Sequence, residues 1–466
     1  MRGQPGAAGR SLVLDPSCMT PPYESIAAVR FCYGFRPGEA RAGPEALLKG
    51  VARGARHAGR AQSTLPGRMK DYATFARLRR SPHAGSEPEQ RAARSALDRR
   101  FALDSSERVR QAVLSPHGYY ERLVWFWADH FTVAARNRRG NVVVPSFEVD
   151  AIRPHVAGTF AGLLRAAVSH PAMLEYFGQA RSTGPGSQVG LEQGVGLNEN
   201  LAREVLELHT LGVGADYAQD DVRQFAELLT GLAVDRRTGE MAFRADMAEP
   251  GDETVLGRSY GGARERARHI DAALDDLSKH PATARHIARK LAVHFVADAP
   301  DEGLVAHLEA AYRRDGGELM PVYAALLEHP ASWDRLGAKV RQPFDFVVAT
   351  LRTAGTDHLT ALEDADQAPD PVAALRRMNQ PLWGAPGPDG WPEAPEAWIS
   401  PPGLTARIAW ASLIGQALAP RVDPRDFIET ALGELARDET RVAARVAAER
   451  WEGIALVLAS PEFNRR

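Results

Sequence analysis

Apolar residues recur every three or four positions along most of the chain, the spacing of helices that bury one face. The densest such stretch is 198–232, NENLAREVLELHTLGVGADYAQDDVRQFAELLTGL, which reads as helix, glycine turn, helix. Asn198 is placed to cap the first helix, and Leu201, Val205 and Leu208 form its core stripe, with His209 on one flank and Glu204 on the other. Gly212 and Gly214 stop it, and Val222, Phe225, Ala226 and Leu229 build the next. The same spacing predicts helices over 24–35, 44–58, 70–80, 89–101, 119–131, 150–168, 264–277, 281–296, 301–314, 319–329 and 343–354, with about three more closing the chain.

A few stretches break the pattern. NVVVPSFEVD (141–150) predicts a short strand before Pro145, and alternation around Glu-Pro-Gly-Asp in 241–262 predicts one hairpin. Residues 180–197 form the longest low-order loop, a length that is usually functional or mobile. SPHAGSEPEQ (81–90) and 356–371 read as polar connections. The block 380–402 holds too many prolines and glycines for a helix and is pinned by Trp383, Trp391 and Trp398. His-Pro-Ala recurs after 169, 279 and 328 as one helix-boundary idiom. The fold class is therefore all-α: a large single-domain helical assembly over 19–466, with a minor β-hairpin and long Pro/Gly-rich surface loops, behind a disordered tail at 1–18.

Composition narrows the function. With 466 residues and a formal net charge of -2, the chain offers no broad basic surface for nucleic acid or anionic membrane. Cys18 and Cys32 cannot build a disulfide framework, and no CxxC pair suggests zinc. No apolar run reaches the roughly 20 residues of a membrane span. The basic start lacks a signal peptide's apolar core, so a cytoplasmic location is the default, and Met19 is a candidate natural start. No Walker, GxGxxG, GxSxG, HExxH or EF-hand pattern occurs, and no cofactor follows from the sequence.

Two segments concentrate chemistry. Glu199, Arg203 and Glu207 stand four apart, either a solvated ion ladder or a face that another element covers and turns into acid/base groups. His209 is either a hydrogen-bonded core histidine or a general base. In 281–296, Arg285, His286, Arg289 and Lys290 leave the apolar stripe, and their spacing matches no helical zinc pair, so no metal ligand is assigned. The simplest expectation is that this cationic helix packs across the acidic one, with Glu204 and Arg285 shielded as partners.

Several motifs together resemble the bacterial domain-of-unknown-function family numbered 1800, over about residues 25–466. They are RLVWFWADHFTV (122–133), LLRAAVSHPAMLEYF (163–177), NENLAREVLELHTLG (198–212), HPATARHIARKLAVHFV (280–296), the QPLW…DGW…W block (380–398) and LASPEFNRR (458–466). The resemblance implies a mostly helical fold without an assigned activity, whose genes often neighbour those of a sulfatase-like family numbered 1501. The sequence departs from the family pattern at Ala218, where Thr or Ser is usual, at Asp129 (Asn), Cys32 (Gly) and Leu232 (Trp). The reading is an enzyme, hydrolytic in type, with its site where helices 198–232 and 280–296 meet. Glu204, Glu207 and His209 are the acid/base candidates. Asn198, Glu199, Arg203, Arg285, His286 and Trp391 are the binding candidates. The alternative is a non-catalytic binding or maturation partner of the sulfatase-like protein, using an apolar patch around Trp383 and Trp391.

Overall fold

The computed structural model describes residues 23–57, 64–80, 86–261, 266–334, 336–358 and 368–466. The expected tail at 1–18, part of the 81–90 loop and most of the 356–371 connection lie outside these residues. The chain is 66% helical, and its only sheets among the described residues are two antiparallel ribbons. The all-α expectation holds.

The Gly118–His130 helix organises the packing because it is apolar on two sides. One face carries Tyr119, Leu123, Phe126 and Trp127 into a core built from residues between Ala27 and Leu327. There the Trp127 indole donates to Tyr323 Oη at 2.6 Å, so the polar edge of a wholly buried ring is satisfied. Trp125 points the other way and stacks on Phe344, with ring centroids 4.0 Å apart, in a second core of C-terminal helices. Burying aromatic surface on both sides fixes the end of this helix, where Asp129 and His130 sit.

Most helix limits fall where the spacing put them, among them Pro281–Phe295, Glu302–Arg314, Leu319–Glu328 and Pro343–Ala354. The His-Pro idiom has a physical reason. His170, His280 and His329 each turn Nδ1 onto the backbone N–H two residues on, at 3.1, 3.2 and 3.3 Å. The proline between them has no N–H to leave unpaired.

Four expectations need correction. Residues 141–150 are not a strand: Arg138–Phe147 is helical through Pro145 and runs on into a π-helix, Glu148–Ile152. Three valines in a row fit a buried helix as well as a strand, and all three are buried. The stretch after 240 is not one hairpin. Leu232–Val234 pairs with Met241–Phe243, while Asp252–Val255 pairs with Arg258–Gly261 around Leu256 and Gly257, both at positive φ. That turn geometry usually announces itself as Asn-Gly or Asp-Gly, which is absent here. The 89–101 helix extends over Glu87–Leu114 from a capping box at Ser86 and Glu89. Finally, the 180–197 loop is ordered: it holds a short helix, Gln188–Gln193, and the Gly186 N–H donates to Glu249 at 2.7 Å.

Candidate functional site

The helix expected over 198–210 changes winding midway. Asn200–Glu204 is α-helical and Val205–Thr210 is π-helical, with Leu211 N bonded to Leu206 O. One extra residue per turn shifts every side chain beyond it, so Leu206 enters the core and Leu208 comes out half-buried. Such π segments are frequent at functional sites.

The wide turn also presents two successive carbonyls sideways. The His286 Nε2 lies 3.0 Å from Leu208 O, and the His130 Nε2 lies 3.1 Å from His209 O. A carbonyl only accepts, so both imidazoles donate from Nε2, which fixes their neutral tautomers. His286 fits because residue 212 is glycine at φ +94°; a Cβ there would lie 2.9 Å from the ring Nδ1. Burial, with Lys290 adding repulsion, lowers His286 to about 4 and His209 to about 3. His209 is fully enclosed, 0% exposed, and neither ring nitrogen has a protein partner.

His286, Lys290 and His294 stand four apart on Pro281–Phe295 and share one face. Lys290 is half-buried and makes no hydrogen bond or ion pair among the described residues. Burial lowers its pKa, against the attraction of Asp129, Glu393 and Asp389. Asp129 accepts from the Trp391 N–H at 2.9 Å, which docks the Asp389-Gly390-Trp391 turn onto the end of the Gly118–His130 helix. Gly390 lets that contact form, since a Cβ there would lie 2.7 Å from the Asp129 carbonyl oxygen. Burial pushes the Asp129 carboxyl up to about 7; the Trp391 N–H and Lys290 pull against it, and Glu393 and Asp389 reinforce it. Next to it His294 Nδ1 contacts Glu393 Oε1 at 2.5 Å, and Lys339 Nζ reaches Glu393 Oε2 at 2.8 Å. Burial opposes ionisation of Glu393, but His294 and Lys339 outweigh it and hold the carboxyl well below the usual range.

Glu204 also feels the charge of Asp389. It is half-buried and, unlike Glu199 and Glu207, has no partner among the described residues. Burial raises its pKa, with Glu207 and Asp389 adding repulsion. Its neighbours are committed elsewhere. Arg203 pairs with Glu199 at 3.3 Å and Glu207 at 3.6 Å, and Gln219 bridges Arg203 and Glu199. These three residues form an ion ladder that is half-buried and partly covered by Gln219 of the next helix. Asn198 accepts from Asn200 N at 3.0 Å and donates to Phe177 O at 2.8 Å, a cap that also anchors the segment.

The two signature helices do meet, but through His286 and a carbonyl. The expected Glu204–Arg285 pairing is absent. Arg285 is 51% exposed and pairs with Glu302 at 3.1 Å and Glu309 at 3.2 Å on the following helix. One residue earlier on the wheel than His286, it leaves on a different side. Trp391 is half-buried beside Trp398, and Trp383 is half-buried against Phe101, so the apolar patch imagined around them is folded down. Asp129, Lys290, Asp389 and Glu393 were absent from the sequence-derived site. The four-residue spacing of His286, Lys290 and His294 was a usable signal for Lys290; nothing in the sequence tied the loop acids to it. Among the described residues no group of three His, Cys, Asp or Glu side chains has the geometry to hold a metal ion.

The segments that converge here are the ones that carry the family resemblance, and the family model described as protein of unknown function (DUF1800) matches residues 26–465. The chain belongs to this family. No curated protein and no solved structure matches it. Among the described residues of this DUF1800 chain no helix is long and apolar enough to cross a membrane.

Proposed function

We propose that this DUF1800 protein is an enzyme of acid–base, hydrolytic type, with Glu204 as the proton-transferring group and Lys290 as the cation beside the reacting bond. One observation carries the reading: a carboxyl with a raised pKa and an amine with a lowered pKa, each half-buried and without a partner among the described residues, both feel the charge of the same loop residue, Asp389. Structural charges are paired; a carboxyl whose ionisation burial disfavours suits proton transfer, and an ammonium without a counter-ion among the described residues suits charge stabilisation. Asp129 positions the Trp391 loop and tunes Lys290.

The acidic excess of Glu204, Glu207, Asp129, Asp389 and Glu393 disfavours an anionic substrate, and Tyr176 and Trp391 supply ring faces nearby. A neutral, hydroxyl-rich substrate of the carbohydrate class suits that mixture. The test is hydrolysis of chromogenic glycosides and esters across pH, with oligosaccharide binding followed by thermal shift. Glu204→Gln should abolish product release while keeping binding, and Lys290→Met should lower release and shift the pH profile. Release that survives both substitutions removes the reading.

A further inference from the structure

A cavity of about 570 Å³ opens between the Pro44–Arg56 helix, the 34–42 loop and the turn at Pro116–Tyr119, and it shares no lining residue with the site above. Cys32, Leu47 and Tyr119 give it an apolar floor. Its charges are unbalanced: Arg36, Arg41, Arg53 and Arg352 line it against Glu39 and Glu429. Glu429 is engaged by Arg441 and Arg41 by Glu434, both outside the cavity, which leaves Arg36, Arg53 and Arg352 against Glu39.

The arginines are held differently. Arg352 is 1% exposed and is clamped by the Val113 and Ser115 carbonyls at 2.9 and 3.0 Å and by Glu39 at 2.5 Å, yet its buried Nε has no partner. Arg36 leans on the same Glu39 at 3.4 Å, so one carboxylate serves two guanidinium groups. Arg53, exposed at the mouth, has no side-chain partner among the described residues. His117 opposite is kept neutral, its pKa lowered by burial first and by Arg53 second. Buried Arg352 and half-buried Arg36 sharing one carboxylate, with exposed Arg53 at the rim, leave positive charge in excess over an apolar floor. A volume of this size is ordinary for a small-molecule site, where apolar walls provide affinity and a few polar groups fix orientation. Guanidinium groups select planar or tetrahedral oxyanions.

We propose that this cavity binds a small organic anion: an apolar body on the Cys32–Leu47–Tyr119 floor, with a carboxylate or phosphate between Arg53 and the Arg36–Arg352 pair. Calorimetry and thermal shift on the full chain with benzoate, phenyl phosphate and benzyl alcohol test it. Benzoate or phenyl phosphate should bind and raise the melting temperature while benzyl alcohol does not, and which anion binds more tightly identifies the head group. Arg53→Ala should weaken binding by about tenfold, the loss expected for a charge-assisted contact. Ala46→Trp, at an exposed lining position, should block binding with the fold intact, and Glu204→Gln should leave binding unchanged. The proposal falls if neither anion binds, if benzyl alcohol binds equally well, or if Arg53→Ala and Ala46→Trp both leave affinity unaltered.

Discussion

Two clusters of charge lie within a few helical turns of each other on the Gly118–His130 helix and are built on opposite rules. At its start and middle, Glu121 and Arg122 enter closed networks. Arg153 forks onto Glu121 at 2.8 and 3.0 Å and reaches Glu148 at 2.9 Å, while Arg108 completes the square on Glu148 at 2.5 Å. Asp345 is shared by Arg122 at 2.6 Å, Arg341 at 3.0 Å and Arg466 at 3.0 Å. Aromatic rings close the remaining faces, with Arg108 4.9 Å over Phe344 and Arg122 5.2 Å over Tyr33. At the end of the same helix, Asp129, Lys290 and Glu204 are half-buried with weaker claims on them. In the first cluster burial is compensated, and Glu121 and Asp345 stay below the ordinary carboxylate range because their arginines outweigh burial. In the second it is not, and the carboxyls drift up. Burial alone therefore does not mark a site; burial without a partner does.

The sharpest way to break this contrast is to remove one carboxylate from each cluster. Glu121→Gln leaves Arg153 and Arg108, which lies 3.7 Å from Glu121, sharing Glu148 as their one remaining carboxylate inside the protein, and should cost about 3–5 kcal/mol in urea unfolding. Glu204→Gln should fall within about 0.5 kcal/mol of the parent, as for a group with no partner to lose. Comparable losses at both positions would erase the distinction.

The dependence of stability on pH gives a second, smaller contrast. Asp129, raised to about 7, contributes stability that is present below the unfolded carboxyl's pKa of about 4 and is lost as pH rises through about 7. His209 and His286, lowered to about 3 and about 4, contribute stability that is present above the unfolded imidazole's pKa of about 6.5 and is lost as pH falls. Between these limits the two effects oppose each other. Asp129→Asn keeps an acceptor for the Trp391 N–H but cannot ionise, so stability should climb more steeply from pH 4 to 7. At pH 8 the variant should exceed the parent by more than about 1 kcal/mol, one pKa unit being worth about 1.4 kcal/mol. Parallel unfolding curves at pH 5 and 8 would show that Asp129 titrates normally.

The smallest effect concerns the exposed pairs. Arg285→Gln should cost about 0–1 kcal/mol, and its effect should add to that of Glu204→Gln, since Arg285 is committed to Glu302 and Glu309. A coupling above about 0.5 kcal/mol would place the two side chains together after all.

Local rules made much of the fold legible. The 3.6-residue spacing located the helices, and proline after histidine marked three helix starts, because both depend on neighbours in sequence. The segments that form the site were legible too, as separate charged motifs. Their pairing was not. An α-to-π change at Val205 costs no distinctive residue, yet it decides that Leu208 and His209 offer their carbonyls to His286 and His130. Arg285 and Lys290 look interchangeable along the chain, but their directions differ, and one meets two glutamates while the other has no partner among the described residues. Sequence by itself determined which residues are charged, where the helices run and which faces must be buried, since these follow from short-range sterics and hydrophobic spacing. Only the tertiary structure decided which charges are satisfied, because a partner some 80 to 260 residues away, as His286 is from Leu208 and Trp391 from Asp129, is set by packing geometry that no local pattern encodes.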